Sequence, residues 1–278
     1  MFRRRARLGL LTVLGLARRG YFIPYRFAES LPAPGRVPAY PALAALFKQA
    51  EPAFADTLAA IEAVADDLRA IGKAPSPAPR WTQDWFPTLD AAAAYALVRR
   101  HRPGCIVEVG SGHSTRFLKR AVDDGGLPTR LVAIDPAPRR GVEQLDLELH
   151  RAPLHAVGEA PFRALGPGDM LVIDSSHILM PGSDVDDLMN RILPALPDGV
   201  LVHIHDVFLP DDYPPAWAWR NYNEQQGVAI LLLSGAYTPL FASHYVNTRM
   251  ASQLSQGVLA ELPKVAEAHP ASLWLRKA

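Results

Sequence analysis

Reactive side chains gather at three short stretches of this sequence. In the first, Glu108-Val109-Gly110-Ser111-Gly112-His113-Ser114-Thr115 follows an apolar run. Its two glycines permit a tight turn and a close backbone approach to a ligand. A helix opening near Ser114 would present unpaired amide donors that favour a carboxylate or phosphate. A dinucleotide-binding turn would carry a third glycine where Thr115 stands, which weakens a pyrophosphate reading. The second stretch ends in Asp135, 23 residues beyond Gly112, where a carboxylate can accept both hydroxyls of a ribose. The other reading of Asp135, followed by Pro136, is a turn-capping carboxylate. The third joins Asp174 and His177 to His205-Asp206, residue types that move protons or hold divalent cations.

These groups need a scaffold that brings them to one edge. Cys105 to Val109 is a short β-branched run stopped by Gly110. Similar runs recur at Arg130–Ile134, Met170–Ile173 and Val200–Ile204, with a weaker one at Leu147–His150. Stretches long enough for helices separate them, so the alternation predicts an α/β fold with a largely parallel sheet covered on both faces. Pro239–Ser243 and Ser272–Leu275 predict an antiparallel ribbon at one sheet edge. Pro52 suits the first turn of a helix of about twenty residues carrying Phe54, Leu58, Ile61, Ala65 and Leu68 on one stripe. Asp90 is the expected cap of a helix reaching Arg100, and Ser183 with Asp186 forms a weak capping box. Residues 72–80 have linker composition, dividing a basic, helical extension (1–78) from the main domain (79–278).

Over residues 80–278 the sequence resembles the class I S-adenosylmethionine-dependent methyltransferases, and within them methyltransferase-domain family 24. The turn E-V-G-S-G-H-S, the I-D-P after the second strand, D-M-L-V-I-D-S-S-H at 169–177 and G-V-L-V-H-I-H-D-V-F at 199–208 carry the resemblance. It implies a Rossmann-like, doubly wound sheet of seven strands, mostly parallel with an antiparallel last strand. S-adenosylmethionine would lie across the carboxyl ends of strands one, two and four. Gly110, Ser111, Gly112 and Ser114 would then face its methionine part, Glu108 its ammonium directly or through water, and Asp135 its ribose. Ser114 departs from the glycine of many members. Glu108, Asp135 and Asp174 together suit a ligand carrying a sulfonium and an ammonium against one carboxylate.

At the acceptor end, Asp174 and His205-Asp206 finish neighbouring strands. A hydroxyl acceptor must lose its proton to a base or have its oxygen bound by a cation. The placement resembles the divalent-metal site of catechol-type O-methyltransferases, which implies Asp174, His205 and Asp206 as ligands of magnesium, manganese or a similar ion. His205 is a poorer partner for magnesium than an oxygen would be. The alternative leaves Asp174, His177 or Asp206 to orient or deprotonate the acceptor, His177 being a general base of ordinary pKa near 7. His203 reads as a satisfied core residue, and His244 as a remoter candidate. The aromatic loop Leu209–Arg220 is either a wall of the acceptor pocket or a surface loop pinned by tryptophans, and Trp85 could close the opposite side.

Composition narrows the rest. The chain has 278 residues and a net charge of +1, which gives no global basic field for nucleic acid. The single Cys105 allows no intramolecular disulfide, in keeping with a reducing, cytoplasmic setting. Charge is uneven, for Arg3, Arg4, Arg5, Arg7, Arg18 and Arg19 fall in the first twenty residues. The apolar run Leu8–Ala17 imitates a secretory signal, but it meets Arg18 and Arg19 at once and is far shorter than the ~20 residues a bilayer span needs. A helix docked on its own protein or a partner is the first expectation. Peripheral contact of residues 1–20 with the inner face of a membrane is the second. A small-molecule methyltransferase acting on oxygen is the reading favoured, with a homo-oligomer left open. A nicotinamide-dependent oxidoreductase and a non-catalytic, membrane-associated scaffold are its rivals.

Overall fold

A computed structural model describes residues 2–278, with side chains from Ala6 onward. The backbone divides into two compact units, residues 1–37 and residues 38–278. In the first, helix α1 (Phe2–Val13) is followed by turns and extended chain with one 3-10 turn at Ala28–Ser30.

The second unit is built on a seven-stranded sheet: β1 (Cys105–Val109), β2 (Arg130–Ile134), β3 (Glu148–His150), β4 (Met170–Ile173), β5 (Leu201–Ile204), β6 (Tyr237–Ala242) and β7 (Leu273–Lys277). Their order is β3-β2-β1-β4-β5-β7-β6, with β7 antiparallel to both β5 and β6 and the remaining pairs parallel. This is the expected Rossmann-like sheet, and the predicted edge ribbon is its β6–β7 pair. The first five strands run outward from β1 in both directions, so the switch point falls between β1 and β4, where such sheets bind ligands.

Register then fixes the site. Val109 is level with Ile134 and with Ile173, and Ile173 with Ile204. The next residue on each strand therefore stands in a row along the carboxyl edge: Asp135, Gly110, Asp174, His205. One further backbone bond per neighbour holds the row, from Gly110 N–H to the Ile134 carbonyl, Asp174 N–H to Val109 and His205 N–H to Ile173, each 2.9 Å.

Helices cover both faces. Helix α2 runs Pro41–Ala63, α3 Ala65–Ala70, α4 Thr88–His101 and α5 His113–Asp124. The expected start at Pro52 is corrected, because Pro41 takes the first turn and Pro52 lies inside α2. The apolar stripe explains the longer helix, since Phe47, Phe54, Ile61 and Leu68 repeat every seven residues and are fully buried. Pro52 is exposed, so the carbonyl it leaves unpaired can meet water. Phe47 and Phe54 pack edge-on to Tyr245, and Phe54 also to Phe241, seating α2 on β6. The second unit thus begins at Pro38, ahead of the proline-rich stretch 72–80.

Asp90 is not the cap of α4; it lies within the helix's first turn and is fully buried. Its carboxylate instead accepts from Ala271 N–H at 3.0 Å and Ser272 N–H at 3.1 Å, tying α4 to the start of β7. Ser183 does cap the following turn, accepting from Asp186 N–H.

Candidate active site

A cavity of about 820 Å³ opens along the row of strand tips. Gly110, Ser111 and Asp135 form one end of its wall, and Asp174, His177, His205 and Asp206 the other. Trp85 and Arg139 stand over the first end, Trp217, Arg220 and Tyr222 over the second.

The first end is shaped by glycine and short hydrogen bonds. Gly110 has φ +84°, and a Cβ there would lie 1.9 Å from the Asp174 carbonyl oxygen, so no other residue fits. Ser111 donates to one Asp135 carboxylate oxygen through its N–H and its hydroxyl, both at 2.8 Å, and Ala137 N–H donates to the other at 2.7 Å. Asp135 thus caps its own turn, clasps the glycine turn and still faces the cavity. Thr115 accepts from Gly112 N–H at 2.8 Å, closing the start of α5 where a dinucleotide turn would place glycine.

Glu108, Gly112 and Ser114 do not line the cavity. Glu108 is completely buried behind the turn. One of its oxygens accepts from the Ser114 hydroxyl at 2.6 Å, and the other has no partner. Burial pushes its carboxyl up to about 8, against the lowering effect of Ser114 and Thr115. The turn that only glycine permits presents its backbone along the cavity wall, and the orphaned Glu108 oxygen lies behind it.

The second end is a web of imidazoles and carboxylates. His177 Nε2 lies 3.4 Å from Asp174 Oδ1 and 3.3 Å from Asp206 Oδ2, while its Nδ1 is 2.8 Å from Glu224 Oε2. His205 Nδ1 is 3.5 Å from Asp174 Oδ1 and 3.4 Å from Asp206 Oδ1, and its Nε2 is 3.3 Å from Asp90. Burial alone would lower both histidines. For His177 the bonds to Asp174 and Glu224 outweigh it, for His205 the charges of Asp206 and Asp174, and both rise well above the ordinary value. Asp174 is likewise pushed up by burial, but His205 and His177 hold it well below the usual carboxylate range. The surrounding carboxylates thus favour the protonated form of both imidazoles.

Two residues of this web hold left-handed backbone, His177 at φ +59° and Asp206 at φ +57°. Such strain collects at functional sites. Two residues farther down β5, His203 shows the contrast: fully buried, bonded through Nε2 to the Ser272 hydroxyl at 2.8 Å and lowered by burial to about 3, it is a core histidine as expected, though its Nδ1 has no partner. His244 pairs with Asp211 at 2.9 Å, away from the cavity.

Sequence reasoning missed Glu224 as a partner of His177, and it read Asp90, the partner of His205, as a helix cap. It also missed Arg220, whose guanidinium stacks 3.9 Å from the Trp217 ring centre and lies 3.7 Å from Asp206. The aromatic loop divides between its two readings, since Trp217 and Arg220 line the cavity whereas Tyr213 packs on Phe208.

The metal expectation meets a different arrangement. Asp174, His205 and Asp206 do converge, but both nitrogens of His205 face carboxylates. Among the described residues no group of three or more His, Cys, Asp or Glu side chains is placed to hold a metal ion. As placed, these residues do not fit one.

Residues 107–207, which run from within β1 to just past β5 and include Gly110, Asp135, Asp174, His177, His205 and Asp206, match the family described as Methyltransferase domain, family 24. This stretch of the chain is similar to a methyltransferase domain. The strand order of the whole sheet, with β7 antiparallel, is the Rossmann-like one expected from the sequence. Solved structures resemble the chain at low identity. A Podospora anserina methyltransferase with S-adenosylhomocysteine bound is 14% identical, with 93% of this chain and 99% of that one covered and a TM-score of 0.44. A Bacillus cereus O-methyltransferase, also in complex with S-adenosylhomocysteine, is 15% identical over 80% and 91%, with a TM-score of 0.41. A Streptomyces achromogenes O-methyltransferase of tomaymycin synthesis, in complex with S-adenosylmethionine, is 18% identical over 79% and 89%, with a TM-score of 0.38. No curated protein matches the chain.

Proposed function

We propose that the protein is an S-adenosylmethionine-dependent methyltransferase acting on a hydroxyl oxygen of a small molecule. The observation that carries this reading is the single cavity joining the Gly110–Asp135 end to the His177–Asp206 end. When bound at the first end, S-adenosylmethionine supplies an electrophilic methyl group. Asp135 would hold its ribose, and the Gly110–Ser111 backbone would bear its methionine part. Glu108, from behind the turn, would balance its ammonium.

The acceptor would lie between Trp217, Tyr222 and the web, its oxygen beside Asp206. A hydroxyl becomes strongly acidic as its oxygen is alkylated, so a carboxylate is a sufficient base for the departing proton. Asp206 takes that proton, with His177 and His205 standing beside its two oxygens. Glu224 and Asp90 fix the two rings from behind. Holding both reactants in line in one cavity supplies much of the acceleration. No part of this route needs a metal at Asp174, His205 and Asp206.

The test is transfer of tritiated methyl from S-adenosylmethionine to a panel of phenols, catechols, sugars and amines, with and without prior chelation. The reading expects labelled O-methyl product from at least one hydroxyl acceptor and an unchanged rate after chelation. Labelled amines alone would move the acceptor to nitrogen. Loss of activity on chelation, restored by manganese or magnesium, would establish the metal reading instead. Reduction of a carbonyl panel by NADH, with no methyl transfer, would contradict both.

A further inference from the structure

The unit formed by residues 1–37 has a surface unlike that of a free-standing soluble segment. It contains eight arginines and one acid, Glu29, a net +7 that leaves the other 241 residues at −6. The side chains of Arg3, Arg4 and Arg5 lie outside the described ones, whereas Arg7, Arg18, Arg19 and Arg26 are described and exposed. Apolar exposure is concentrated in the same place. Of fourteen exposed large hydrophobic residues among those described, ten fall between Leu10 and Leu31. Leu10, Val13 and Leu14 on and just after α1 are about 60% exposed, and Phe22 and Ile23 about two-thirds. Arg18 lies over the Tyr21 ring and Arg26 over the Phe27 ring.

A dense positive charge alone would suit any polyanion. Clustered leucine, isoleucine, phenylalanine and tyrosine alongside it suit an interface that is anionic above and hydrocarbon below. Helix α1 has twelve residues, about 18 Å of rise, against the ~30 Å of a bilayer core, so it cannot cross. No described helix is long and apolar enough to do so.

We propose that residues 1–37 dock the protein on an anionic lipid surface. Helix α1 lies in the headgroup plane with its leucines inserted, Tyr21 to Phe27 sit at the interface, and the arginines pair with lipid phosphates and anionic headgroups. Each exposed basic residue near such a surface contributes about 1 kcal/mol, roughly fivefold in partitioning.

The test is sedimentation of the full chain with vesicles of phosphatidylglycerol and phosphatidylcholine in equal parts, against vesicles of phosphatidylcholine alone. Binding to the anionic vesicles at 0.1 M salt is expected, with little to the neutral ones and a large fall at about 0.5 M salt. Arg18→Ser with Arg19→Ser should weaken partitioning about 10- to 30-fold, and Phe22→Ser with Ile23→Ser at least 10-fold. An unchanged melting temperature in both variants would show that the larger unit is intact. Equal binding to both vesicle types, or no binding to either, overturns the proposal. Light scattering that finds a dimer, and a monomer in the Phe22→Ser, Ile23→Ser variant, would assign the surface to a second copy instead.

Discussion

At the Gly110–Asp135 end of the cavity, shape comes from a backbone that tolerates no side chain and from hydrogen bonds of 2.6 to 2.8 Å between residues of neighbouring turns. The Asp174–Asp206 end, on adjacent strand tips of the same sheet, is held by imidazole–carboxylate contacts of 3.3 to 3.5 Å, backed by one of 2.8 Å from His177 to Glu224. The first end is a turn fixed by its own backbone. The second is an electrostatic web in which carboxylates raise His177 and His205 and those imidazoles lower Asp174. Substitutions should therefore act on binding and folding at the first end, and on turnover and pH response at the second.

The sharpest break is expected at Gly110. Alanine there meets the Asp174 carbonyl at 1.9 Å and adds about 1–2 kcal/mol for left-handed backbone, so Gly110→Ala should lower S-adenosylhomocysteine affinity at least 100-fold and depress the melting temperature. Calorimetry and a thermal melt check both. Asp206→Asn should do the reverse, lowering kcat by about 10²- to 10⁴-fold while S-adenosylhomocysteine affinity stays within about threefold. Equal losses of affinity and turnover in that variant would erase the distinction between the ends.

Glu224→Gln sharpens it through pH. His177 has a folded pKa above its unfolded one, so its contribution to stability is full below about pH 6.5 and is lost as pH rises through the raised value. Removing the Glu224 charge brings that raised value down, and the alkaline fall in melting temperature should begin at lower pH in the variant. A melting profile identical to wild type would show that Glu224 does not help charge His177.

The smallest expected effect is a fraction of a proton. With Glu108 raised to about 8, its carboxyl is mostly protonated at pH 7 in the free protein. Binding a ligand ammonium favours the ionised form, so S-adenosylhomocysteine should release less than one proton at pH 7. Titrations in two buffers of different ionisation enthalpy would detect the release, and Glu108→Gln should abolish it.

The same contrast sets how much was legible in the sequence. β1, β2 and β4 could be read as short β-branched runs closed by Gly110, Asp135 and Asp174, because each run and its stop are contiguous. The parallel register then places those three stops side by side without further information. Glu224 was not readable, since it meets His177 only after the chain travels 47 residues through an aromatic loop. Asp90 was misread for a related reason: an acid at a helix start looks like a cap, and nothing local reveals that Ala271, Ser272 and His205 converge on it. His203 and His205 differ by two residues, and the strand pattern alone separates their depth but not their charge. Helix α2 was cut short because Pro52 is a common first-turn residue, while the buried stripe continues through Phe47 to Leu43.

The most direct measurement is isothermal titration of the folded, full-length protein with S-adenosylhomocysteine, with NADH as the control. The account predicts one site with a dissociation constant in the micromolar range or tighter, lost in Gly110→Ala and retained in Asp206→Asn, and no heat with NADH. Saturable binding of NADH with none of S-adenosylhomocysteine would contradict it.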